Sequence, residues 1–133
     1  MCKFVQYIDF RMPDIKPLTG PKIHPTCQAE LESLFPERNR QVLIKVQTKK
    51  RLNALSQNPA LLNTHREWFE RLGVYDDFQF YSLRFNHVSG LGNLRILFVM
   101  NEHQPMFIHA FMEQRGTDYQ NAIDLARKRL KDS

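Results

Sequence analysis

The chain has 133 residues, 42% apolar and 25% charged, with 19 basic side chains against 14 acidic ones and a formal charge of +5. That length fits one domain, since two cores of half the size would each be too small to hold together, and the apolar share excludes a disordered chain. No apolar run nears the roughly 18–20 residues that cross a bilayer. Gln6 and Asp9 interrupt the N-terminal stretch, so no secretory leader is read there. The cysteines, Cys2 and Cys27, are too few for a disulfide framework or a zinc site. A cytoplasmic protein with reduced thiols is expected, and the positive charge favours an anionic partner.

Residues 3–10 alternate Phe4, Gln6, Ile8 and Phe10 with Val5, Tyr7 and Asp9 and read as a strand. Residues 11–26 hold Pro13, Pro17, Pro21, Pro25 and Gly20, which lack ladder donors or regular geometry, and read as an extended surface loop. Helical signals begin near Thr26 and stop at Pro36. A longer helix runs from Glu37 to about Ser56, where neither Gly nor Pro intervenes. Thr64 and Glu67 have the spacing of a capping box, with Trp68, Phe69 and Leu72 following and Gly73 as a stop, so a third short helix is expected.

The second half changes character. Residues 78–85, 94–100 and 106–112 are runs of strand formers separated by short connections, the first containing Gly90 and Gly92, and predict an antiparallel meander. Thr117 and Gln120 form another capping box, and Tyr119, Ile123, Ala126 and Leu130 fall on one stripe of a closing helix. The expected fold is a single α+β domain over 1–133: an N-terminal strand, two or three helices, a three-stranded antiparallel meander and a C-terminal helix.

The sequence contains no Gly-rich phosphate loop, nucleophile elbow, CxxC or HExxH, and its five histidines have no ligand spacing, so neither a metal nor another cofactor is expected. The strands do carry cations. Alternation places Arg84 with Phe80 and Ser82, Arg95 with Leu97 and Val99, and His109 with Phe107 and Phe111. An unpaired guanidinium facing a core is costly. Each arginine must therefore meet solvent, an anion, or a carboxylate such as Glu67, Glu70, Asp76 or Asp77. The Lys49-Lys50-Arg51 cluster reads most simply as a solvated helix face, with a phosphate footprint as the sharper alternative.

Phe80-Tyr81-Ser82-Leu83-Arg84-Phe85, the glycine-containing turn, Leu94-Arg95-Ile96-Leu97-Phe98, Ile108-His109-Ala110-Phe111 and the helix through Ala126-Arg127-Lys128-Arg129-Leu130 together resemble the RelE/HigB family of type II toxins. The likeness is to its phage-associated HigB-like branch and covers about the last 55 residues, with the 11–26 loop as an insertion. It implies a curved antiparallel sheet with a basic concave face and an mRNA endoribonuclease that uses no metal, often at the ribosome. The implied partner is a cognate antitoxin, frequently a helix-turn-helix protein. In such enzymes a ribose 2′-hydroxyl attacks the adjacent phosphate, which calls for a base, cations and an acid.

Carried over by position, the resemblance gives Arg95 the scissile phosphate and places Arg84, Arg115, His109 and Tyr119 around it. Lys49, Lys50, Arg51 and His87 are candidates for binding RNA. Glu113-Gln114 stand where many members have a basic pair. Two other readings stay open: a non-catalytic toxin or binder on the same scaffold, akin to the gyrase-inhibiting ParE type, and an accessory protein of a phage or mobile element that holds RNA or DNA uncut.

Overall fold

The computed structural model describes residues 22–101 and 103–132. The strand expected at 3–10, most of the 11–26 loop and Cys2 lie outside the described residues. What is described of that loop is ordered. Lys22–Ile23 forms a short strand, β1, and helix α1 already begins at Pro25, running Pro25–Leu34. Proline suits the first helical position because its missing N–H has no intrahelical partner there. His24 Nδ1 accepts from the Thr26 N–H and caps the helix.

After the break at Pro36, α2 spans Arg38–Gln57, and α3 (Leu61–Thr64) is a single turn. The helix expected over 64–73 is absent. The Thr64 hydroxyl donates back to the Ala60 carbonyl, which closes α3 instead of opening a new helix. Phe69–Tyr75 forms β2, paired antiparallel with β3 (Phe78–Arg84). Gly73, expected to stop a helix, sits at a register shift in this pair with φ +125°. The pairing wins because it buries Phe69 in the core while satisfying the backbone. Asp76 and Asp77 both take positive φ in the two-residue turn, the geometry that matches hairpin twist.

β4 (Leu94–Asn101), β5 (Gln104–Met112) and α4 (Asp118–Lys131) follow as the sequence predicts. The sheet order is β1-β5-β4-β3-β2, with β1 parallel to β5 and the other neighbours antiparallel. The meander therefore has four strands where three were expected. The molecule is α+β, with the sheet between two helical layers. On one face, Cys27 and Leu31 of α1 and Ile44, Leu52 and Leu55 of α2 cluster with Phe69, Leu83, Phe85, Phe98 and Phe107. On the other, Ala122, Ile123 and Ala126 of α4 cover Phe80, Leu97, Val99 and Ile108.

Two local expectations are corrected. Between β4 and β5 the register passes from Leu97↔His109 to Phe98↔Phe107, leaving Ile108 as an extra residue. This bulge puts Phe107 in the core of the α1/α2 face, while His109 stacks on Phe111. The Thr117 capping box also fails to form. Thr117 has helical backbone angles and no capping bond, and the Asp118 carboxylate instead accepts from the Gln114 and Arg115 N–H groups.

Candidate functional site

Arg84 closes β3 and Arg95 is the second residue of β4, and the register sets them directly opposite each other on the α4 side of the sheet. Glu70 of β2 is opposite Ser82, on the same face. The Ser82 and Tyr119 hydroxyls are 2.9 Å apart, and Tyr119 meets Phe111 edge to face. Two guanidiniums, a carboxylate and a phenol from β2, β3, β4 and α4 thus share one corner of the molecule.

Their partners differ. Arg95 is 4% exposed, donates from Nε to the Glu113 carboxylate at 3.0 Å, and donates from Nη1 to the Leu94 carbonyl. Arg84 is more open, with a side chain 24% exposed. Its Nη1 lies 4.0 Å from Glu70 Oε1 and donates to the Arg66 carbonyl. Arg84 Nε and Glu70 Oε1 are both buried without a hydrogen-bond partner in this structure. Burial pushes the Tyr119 phenol up to about 12, with the Glu70 charge adding to it against the Ser82 bond and Arg95. Tyr119 is therefore a proton carrier at neutral pH and a hydrogen-bond donor, not a base.

His109 shares this sheet face, but its ring is engaged elsewhere. Its Nδ1 is 2.9–3.0 Å from both Glu30 oxygens. Arg129 donates to the same two oxygens at 2.9 and 2.8 Å, and the Ala110 N–H donates at 3.1 Å. Burial alone would raise the Glu30 carboxyl; these Arg129, His109 and Ala110 donors outweigh it and hold the group at about 2. An ionised Glu30 only accepts, so Nδ1 carries the proton. The imidazole is thereby tied to α1 and α4.

Of the other candidates, Arg115 is exposed on the turn before α4, and His87 is exposed on the connection that follows Arg84. Lys50 is exposed, with its ammonium 5.8 Å from the Trp68 ring centre; Lys49 is half-buried. Arg51 departs from the solvated face expected of that cluster. It is 2% exposed, with its guanidinium between the Trp68 and Phe85 rings at 5.0 and 5.1 Å. Its Nε donates to the Arg84 carbonyl and its Nη1 to Gln47. Burial pulls this guanidinium down to about 10. It braces the strand end that carries Arg84 and presents no surface to a phosphate.

Sequence reasoning treats Glu70 only as a neutralising partner and passes over Arg66, Arg71 and Glu30 as site residues. Glu70 is hidden because residues 64–73 read as a helix, on which it has no relation to Ser82. The strand assignment exposes it at once. Among the described residues, no group of three His, Cys, Asp or Glu could hold a metal ion, and no helix is long and apolar enough to cross a membrane. No family model, curated protein or solved structure matches this chain.

Proposed function

We propose that this chain is the toxin of a type II toxin–antitoxin pair, a domain of RelE/HigB build that binds RNA at the Arg84 corner and cuts it by 2′-hydroxyl attack. The observation that carries the reading is the direct opposition of Arg84 and Arg95 beside the Glu70 carboxylate and the Tyr119 phenol. Glu70, whose side chain is 40% exposed, takes the proton of the attacking hydroxyl. Arg84, whose side chain is 24% exposed, stabilises the charge that develops on the phosphorane. Tyr119 supplies a proton toward the leaving 5′-oxygen. Arg95 reaches the phosphate when that anion displaces Glu113. The antitoxin of such a pair would present an acidic segment to this basic chain.

A second reading is a binder on the same scaffold that does not cut. It is favoured by Arg95 resting on Glu113 and His109 on Glu30, which leaves two of the expected catalytic groups neutralised inside the protein.

The test is incubation of the purified protein with single-stranded RNA in the presence of EDTA. Cleavage leaving 2′,3′-cyclic phosphate ends is expected, falling about 10²-fold or more in Glu70→Gln and in Arg84→Ala. In cells, expression should arrest growth and Arg95→Ala should relieve the arrest. Arrest without cleavage selects the binder. Normal growth with abundant, folded wild-type protein removes the toxin reading altogether.

A further inference from the structure

Behind the Arg84 corner, the outer edge of β2 and the α3 turn enclose a second feature, a cavity of about 400 Å³. Arg66, Arg71 and Arg84 line it together with Leu62, Asn63 and Glu70. Three guanidiniums face one carboxylate, so the walls are net positive even with Glu70 ionised. Arg66 and Arg71 are exposed, and Arg71 is held in place by its Nε bond to Gln79 Oε1 at 2.9 Å. Arg84 belongs both to this cavity and to the α4-side cluster, and its buried Nε lacks a partner.

We infer that this cavity is an RNA subsite, holding the nucleotide next to the one placed at the Arg84–Arg95 pair. The inference deepens the RNA reading above and rests on it. The volume lies in the range of sites that accept small organic groups. Forked guanidiniums match phosphate oxygens in pairs, Leu62 offers an apolar contact for ribose or base, and Asn63 offers both a donor and an acceptor. Because Arg84 and Glu70 line both places, a ligand filling them must be continuous and carry an anion at each. A single RNA strand meets that description. An acidic peptide could supply the charges only if it also set a bulky aromatic side chain between two carboxylates, whereas a nucleotide strand repeats base and phosphate by construction.

The probe is a short oligoribonucleotide with one 2′-deoxy position that blocks cutting, titrated against the full chain at several salt concentrations. The double variant Arg66→Ala/Arg71→Ala should bind it at least tenfold more weakly at low salt. The slope of log affinity against log salt should fall by roughly 0.7 for each phosphate that the variant no longer neutralises. Lys128→Ala/Lys131→Ala, which removes the same charge from α4, should change affinity far less.

Unchanged affinity in the Arg66/Arg71 variant, or equal loss in the Lys128/Lys131 variant, overturns the subsite. Oligoglutamate that binds as tightly as the oligonucleotide, with the same Arg66 and Arg71 dependence, reassigns the cavity to a protein segment and also overturns it. The two proposals fail separately. RNA that binds through Arg66 and Arg71 but stays intact removes the nuclease and keeps the subsite; RNA cut by a protein indifferent to both residues does the reverse.

Discussion

Arg51 and Arg95 each bring a full positive charge into the interior and answer its desolvation differently. Arg51 uses two ring faces and three acceptor atoms, none of them charged. Arg95 uses a carboxylate. Hydrogen bonds to charged groups contribute about 1.5–3 kcal/mol, and cation–ring contacts add about 0.5–2. Arg51→Met should therefore lower stability by about 2–4 kcal/mol, read as a lower urea midpoint. Arg51→Lys should fall only partly short of that loss, because an ammonium cannot reproduce the planar fork. Glu113→Gln should act in two directions at once. Removing the partner of a 5%-exposed guanidinium side chain costs about 1–3 kcal/mol of stability. The same change releases Arg95 toward phosphate, so RNA affinity should rise severalfold. Lower stability with unchanged RNA affinity would mark the Arg95–Glu113 pair as purely structural.

At the scale of elements, β1 covers only two residues of β5, at Met106 and Phe107. Beyond them the polar groups of the strand edge are met by two side chains, Glu30 of α1 and Arg129 of α4, which donates to the Ile108 carbonyl. Glu30 accepts the Ala110 N–H where a neighbouring strand would have done so, and it gathers Arg129 from α4 and His109 from β5. An open edge is a template for unwanted pairing, and here a carboxylate and a guanidinium close it while joining three elements. The folded Glu30 carboxyl sits at about 2 against an ordinary 4.5. Its contribution is thus complete above pH 4.5 and disappears as the pH falls toward 2. Urea unfolding at pH 6 and pH 3 should show a loss in the wild-type protein that is clearly smaller in Glu30→Gln, which starts from a lower stability at pH 6. Equal losses would mean that the acid sensitivity resides in other carboxylates. The β2–β3 turn is fastened in a related way, with Asp76 paired to Arg127 of α4 at 2.8 Å and that guanidinium lying over Tyr75.

At the scale of the whole molecule, α4 and the α1/α2 layer cover the sheet unequally. One corner gathers half-buried Arg84 and Glu70, buried Arg95 and the β2-edge cavity, and with Arg66 and Arg71 added to the two Arg–Glu pairs it carries part of the net charge of +5 where the proposed RNA chemistry lies. The sequence by itself determined β3, β4, β5 and α4, along with α1 and α2, because their apolar spacing, prolines and glycines act over a few neighbouring residues. It also determined that Arg84 shares a face with Ser82, and Arg95 with Leu97, since alternation within a strand is local; that the two faces coincide was set by the β3–β4 register. Tertiary structure decided the rest. Residues 69–75 became a strand because β3 was there to pair with them, overriding a capping pattern that favoured a helix. The bulge at Ile108 separated His109 from Phe107, and α1 then captured that imidazole through Glu30, 79 positions away in the chain. Spacing alone sets Arg51 on the α2 stripe of Ile44, Leu52 and Leu55 and turns it away from Lys49 and Lys50; that Trp68 and Phe85 would close around its charge was a tertiary outcome. Such outcomes depend on which distant surfaces meet as the core excludes water, and no local periodicity encodes that.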